Sequence, residues 1–169
     1  MSQQMQVEPN DEQTAMKPDE RFDFSAIIDR PPLRLPGGAR MVVLPVVNIE
    51  EWEITRPMPR QVSNPPGGVS VVPDIQNWSW HEYGMRVGIW RIMEVLTKHG
   101  IRASPTVNSD ICEFHPEIIA EAVKLGWELV GHNKTNSQRL NAIPPEQERE
   151  LIHNALDRLQ QASGKRPVR

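Results

Sequence analysis

Two polar clusters, each following an apolar run, hold the residues of this chain that could do chemistry. Asn48-Ile49-Glu50-Glu51 follows the run Met41 to Val47, and Gly131-His132-Asn133-Lys134-Thr135-Asn136-Ser137 follows Trp127 to Val130. Two carboxylates and an imidazole suit acid–base work: one acid takes a proton from water, the other orients it or binds an ion, and the imidazole shuttles a proton or holds a metal. Adjacent strand residues point to opposite faces, but the backbone turns at a strand's end, so Glu50 and Glu51 are both candidates for one site. The amides and hydroxyls of Asn133, Thr135, Asn136 and Ser137 suit substrate recognition or a plain Asx or Ser/Thr turn equally well.

These residues meet only if the elements carrying them are parallel strands of one sheet, whose carboxyl ends share a face. Met41 to Ile49 is a valine-rich apolar run, expected as a strand covered on both faces. Trp52 to Ser79 holds too many prolines and glycines for a regular element and reads as a long loop. Trp80 to His99 reads as a mostly buried helix with Ser79 as N-cap, stripes at Met85, Ile89, Ile92, Leu96 and at Tyr83, Val87, Trp90, and Gly100 past its end. A strand over Ile101 to Val107, a helix over Pro116 to Leu125, a strand over Trp127 to Val130 and a helix over Pro145 to Gln161 complete a β-α-β-α-β order with parallel strands. Residues 1–20 are polar and acidic and predict a disordered tail. Residues 21–40 are proline-rich and read as an extended segment over a core. Residues 21–169 form one domain in this reading. Arg166 to Arg169 resembles the opening of a further strand, so the chain reads as an amino-terminal fragment, and the edge left after Val130 suggests a homo-oligomer.

A net charge of −3 without a basic stripe gives no footprint for nucleic acid or an anionic membrane. Cys112, the only cysteine, reads as a small buried apolar residue. No apolar run approaches the length of a membrane span and no signal core precedes the domain, which suggests a soluble cytoplasmic protein. No serine-elbow, phosphate-loop or dinucleotide fingerprint occurs. His99, His115 and His153 read as structural residues at or within helices. His81 lies near a helix start, where it could edge the site.

On Asn48-Ile49-Glu50-Glu51, Glu82-Tyr83-Gly84-x-Arg86-x-Gly88-x-Trp90-Arg91, Gly126-Trp127-Glu128-Leu129 and His132, the chain resembles the polysaccharide deacetylase family, and more closely its branch containing the metal-independent type of allantoinase. The resemblance implies an α/β fold, part of an irregular barrel of β/α units with parallel strands. It implies hydrolysis of carbon–nitrogen bonds other than peptide bonds. In the deacetylase branch the first strand ends in two aspartates, a general base and a metal ligand; the corresponding residues here are Glu50 and Glu51. That branch also has a histidine followed four residues later by a second, both binding zinc or a similar ion. Here His132 is kept and Asn136 stands at the second position. The expected cofactor is accordingly none, or one divalent ion such as zinc on Glu51 and His132. The departure favours the allantoinase-like branch, which lacks the second histidine. That branch carries glycine and aromatic residues where this chain has Asn133-Lys134-Thr135-Asn136, so a different substrate is expected.

The resulting expectation is a hydrolase with Glu50, Glu51 and His132 catalytic and with Glu82, Arg86, Asn136 and Ser137 contacting substrate. The substrate would be a small amide, cyclic imide or ureide, with no nucleic-acid or membrane partner. A polysaccharide N-deacetylase acting on an N-acetyl sugar is the alternative within enzymes, and a truncated, catalytically inert binding domain is the alternative outside them.

Overall fold

The computed structural model describes residues 23–167. The expected tail over residues 1–20, and Arg169, lie outside the described residues. The chain divides between Val42 and Val43 into two units. In the first, the described residues form two single turns of 3₁₀-helix, Ile27–Asp29 and Pro36–Gly38, and Phe24, Ile27, Ile28 and Leu33 are exposed.

The second unit is built on a parallel sheet of three short strands, β1 (Asn48–Ile49), β2 (Thr106–Val107) and β3 (Val130–Gly131), in that spatial order. Asn48 and Ile49 pair with Thr106 and Val107, which pair in turn with Val130 and Gly131. The expected order of elements is therefore present, but the long strand expected over Met41 to Ile49 is not. Met41 to Leu44 and Val46 are exposed. Pairing begins only at Pro45, whose carbonyl accepts from Ser104 N at 2.9 Å, followed by Thr106 N to Val47 O at 3.0 Å and Asn108 N to Ile49 O at 3.1 Å. Proline offers no N–H to a ladder, so regular pairing starts only after Pro45, and among the described residues the side chains before it are left exposed.

The first helix starts earlier than expected. Asp74, directly after the last proline of the loop, accepts from Asn77 N at 3.1 Å and caps α1 (Ile75–Tyr83), which places Ser79 inside the helix. A wide π-type turn at Gly84–Gly88 joins it to α2 (Ile89–Lys98). Two glycines in five residues favour such a break, and it rotates the expected stripes. Met85, Ile89 and Met93 are buried, whereas Tyr83, Trp90 and Ile92 are exposed, so this is a one-sided helix rather than a mostly buried one. A short α3 (Ile111–Phe114), which the hydrophobic pattern did not indicate, precedes α4 (Pro116–Lys124), and α5 (Pro145–Ser163) ends at Gly164 in the left-handed region, φ +73°.

Ile49, Val107 and Leu129 join Met85, Ile89, Met93, Ile118, Ile119, Ala122 and Leu159 in one apolar core. Each fully buried large aliphatic side chain there contributes roughly 1.5–3 kcal/mol. The strand ends that follow these residues are thereby anchored. Among the described residues no helix is long and apolar enough to cross a membrane.

Candidate active site

Asn108, fully buried just after β2, ties the three strand ends together. Its Oδ1 accepts from Glu51 N at 2.8 Å, and its Nδ2 donates to the His132 carbonyl and, at 3.2 Å, to Asn136 Oδ1. Glu51 O accepts from Asn136 N at 3.0 Å and from Thr135 Oγ1 at 3.2 Å, so both backbone groups of Glu51 are held. A buried carboxamide with donors and acceptor satisfied is a rigid joint. Sequence reasoning missed it. The signal was there: Asn108-Ser109-Asp110 is a third polar cluster after an apolar run.

Glu50 and Glu51 part company beyond this joint. Glu50 Oε2 accepts from Trp52 Nε1 at 2.9 Å, and Oε1 lies 4.0 Å from His132 Nε2. The Glu50 carbonyl accepts from His81 Nε2 at 2.6 Å, which fixes His81 as the Nε2–H tautomer. Burial pushes the His81 pKa down and favours its neutral form. Its ring stacks on Trp52 with centroids 4.9 Å apart, and Trp52 lies 6.3 Å from Trp80. His81 Nδ1 is buried without a hydrogen-bond partner among the described residues, 3.9 Å from Glu82 Oε1.

Glu51 turns instead toward His115, whose Nε2 is 3.5 Å from Oε2. That oxygen is buried and has no hydrogen bond among the described residues. Burial, reinforced by the negative charges of Glu82, Asp110 and Glu53, pushes the Glu51 pKa up to about 7. His115, expected only as a residue at a helix start, thus stands against one of the two candidate acids.

The remaining expected site residues are bonded to partners other than Glu50. Glu82 Oε2 accepts from Arg86 Nε at 2.8 Å, and the Arg86 side chain is largely exposed. Ser137 Oγ accepts from Glu53 N at 2.8 Å and its own N donates to Thr135 Oγ1 at 2.9 Å, bonds that close one strand-end loop onto another. A cavity of about 560 Å³ opens beside β1, lined by Glu50, His81, Trp52, Trp80, Tyr83 and Arg60 and by apolar side chains including Ile49, Met85 and Ile89. Of the expected site residues, Glu50 alone lines it. Asp110, also missed, is buried beside Arg158 Nη1 at 2.7 Å and Lys134 Nζ at 3.9 Å; burial raises its pKa against the pull of both cations. Cys112 is half-buried, and burial pushes its thiol up.

The donor set does not fit zinc. A catalytic zinc ordinarily takes three protein ligands, and among the described residues no three His, Cys, Asp or Glu side chains converge to hold an ion. Asn136, where a second histidine would stand, is bonded to Asn108, and His132 is paired with Glu50 rather than with Glu51.

The fold is shared with solved structures. In fold, the chain matches the solved structure of Puue allantoinase with a TM-score of 0.73 at 24% identity, over 87% of this chain and 53% of that one. It matches a probable polysaccharide deacetylase of Pseudomonas aeruginosa PAO1 with a TM-score of 0.66 at 24% identity, over 83% of this chain and 50% of the other. The chain therefore spans about half the length of these relatives. In sequence, it is 31% identical over 85 residues to a protein of Schizosaccharomyces pombe described as "Putative polysaccharide deacetylase", which covers 50% of this chain and 26% of that protein. The family model for polysaccharide deacetylase matches residues 80–169. That stretch is more than half of the chain, and it carries two of the three strands and His132: the chain belongs to the polysaccharide deacetylase family.

Proposed function

We propose that this chain carries the water-activating residues of a hydrolase of non-peptide carbon–nitrogen bonds, with Glu50 as the general base. The observation that carries this reading is the setting of Glu50 on the cavity wall. One carboxylate oxygen is fixed by Trp52 Nε1, and the other is left without a close hydrogen bond, 4.0 Å from His132 Nε2. The unfixed oxygen takes a proton from water as the water oxygen attacks the substrate carbonyl carbon. The carbon–nitrogen bond then breaks and the leaving nitrogen takes up the proton that Glu50 received from water. His132 shares the proton held by Glu50, and His81 and Trp52 keep the Glu50 backbone and side chain in place. No step runs through a metal, because the residues present do not fit one.

A substrate offering a carbonyl to Glu50 and an apolar body to Trp80, Tyr83 and Met85 suits a small amide, cyclic imide or ureide. The second reading, removal of an acetyl group from an N-acetyl sugar, is favoured by the family match itself. The experiment is a panel of cyclic ureides, cyclic imides, linear amides and acetylated chito-oligosaccharides incubated with purified full-length protein, with and without a chelator, and read by release of ammonia, acetate or ring-opened product. Turnover of an amide or ureide that survives the chelator is the expected result. Acetate release from the oligosaccharide alone supports the second reading, and turnover abolished by the chelator and restored by zinc overturns the metal-free mechanism.

A further inference from the structure

His115 occupies the junction of α3 and α4, and its backbone is fully engaged there: its N donates to Ile111 O at 2.9 Å and its O accepts from Ile118 N at 3.1 Å. Its ring makes no helix-capping bond, which leaves the imidazole free for another partner. The ring nitrogen Nε2 lies 3.5 Å from Glu51 Oε2, and both side chains are mostly buried. The charged groups around the Glu51 carboxyl come from every neighbouring segment: Glu82 from α1, Asp110 from the start of α3 and Glu53 from the loop after β1, all acidic. Against these three, His115 is the base within ion-pair range among the described residues. His115 itself faces Glu51 and feels His81 across the site.

We propose that His115 is a positioning residue for Glu51: its Nε2–H is the donor for the buried Oε2 oxygen that no other described group bonds, and it keeps that carboxyl group turned in at the end of β1. A buried carboxyl oxygen without a donor costs free energy, and a closing movement of about half an ångström brings the 3.5 Å separation into hydrogen-bond range. The side chain so held belongs to a residue of the joint between the strand ends. Its N–H and C=O are already fixed by Asn108, Thr135 and Asn136, so a side chain released from His115 strains the joint that also holds His132. The pairing stands on geometry alone; its effect on turnover rests on the hydrolase reading above.

Two measurements on the full-length protein test it. In the first, ring-nitrogen NMR of ¹⁵N-histidine-labelled protein is compared between wild type and Glu51→Gln. The expected result is an Nε2–H signal of His115, protected from solvent exchange in the wild type, that shifts and loses protection in the variant. An unchanged His115 signal overturns the proposal. In the second, His115→Ala is expected to lower kcat on the order of 10²-fold with little change in KM, the scale on which an ångström of misplacement acts. His115→Gln, which retains an N–H donor, recovers most of that loss. Equal, wild-type kinetics for both variants overturn the proposal. If His115→Ala does not fold, His115→Gln and the NMR comparison decide. If no substrate in the panel is hydrolysed, the hydrolase reading fails and the NMR comparison still decides the pairing.

Discussion

Glu50 faces the cavity with Trp52 on one carboxylate oxygen and His132 beside the other, whereas Glu51 turns inward to a buried position ringed by Glu82, Asp110 and Glu53 with His115 as its basic neighbour. One residue along the chain changes the carboxyl group from a partly exposed acceptor on a cavity wall to a more deeply set acid whose pKa rises to about 7. The cause is the turn at the end of β1: once the ladder stops at Ile49, Asn108 captures the Glu51 amide and the two side chains diverge. Side-by-side acids in a sequence therefore need not share a proton, a ligand or a role. Here they are served by different histidines from different strand and helix ends.

The largest effect expected from breaking this division is Glu50→Gln. In the proposed role of general base, Glu50 accounts for roughly 10²- to 10⁴-fold in rate, so the variant is expected to lose turnover on that scale in the substrate panel while its thermal unfolding stays within a few degrees of wild type, because the isosteric amide still offers an acceptor to Trp52 Nε1. Wild-type turnover would remove Glu50 from the mechanism. Next in size is Asn108→Leu, which attacks the joint rather than either acid. Glu51 N–H and His132 C=O lose their partner in a buried place, and denaturant unfolding should report a loss of about 3 kcal/mol. A loss below about 0.5 kcal/mol would mean that the strand ends are held elsewhere.

Glu51→Gln sharpens the other side of the comparison through pH. A carboxyl whose folded pKa stands at about 7, above the ordinary 4.5, binds its proton more tightly in the folded state, so its contribution to stability is full below pH 4.5 and is lost as pH rises through about 7. Relative to wild type, the Gln variant should therefore gain stability between pH 4.5 and 7 and level off above, as followed by the thermal midpoint. A constant difference across that range would contradict the burial of the acid. The smallest effect is expected for Ser137→Ala, which removes an acceptor from Glu53 N and costs about 1 kcal/mol. Its turnover should stay close to wild type if Ser137 braces a loop, and a raised KM would restore it as a substrate contact.

Much of the fold was legible in the chain, and the reasons for the exceptions are physical. Periodicity and breakers located α2, α4, α5 and the three strand ends, because apolar runs bounded by Gly100, Gly126 and Gly164 leave few alternatives. The run Met41 to Val47 misled, since hydrophobicity reports what a segment would bury and not whether a second face is available to bury it. The start of α1 was hidden by the proline-rich loop, although Asp74 after Pro73 is a fair cap. At the site, Glu50, Glu51 and His132 stood out as strand-end acids and a histidine. Asn108 and His115 did not. An amide carries no charge to draw notice, and the partnership of His115 with Glu51 spans sixty-four positions and depends on a three-dimensional turn that no local pattern encodes.

The division between the two acids is tested most directly by a ¹³C titration of the glutamate side-chain carboxyls in the full-length protein, with the Glu51 resonance assigned by its loss in Glu51→Gln. The account predicts a Glu51 midpoint near pH 7. A Glu51 midpoint near the ordinary 4.5 would show a solvated carboxylate and would contradict the buried acid on which the comparison stands.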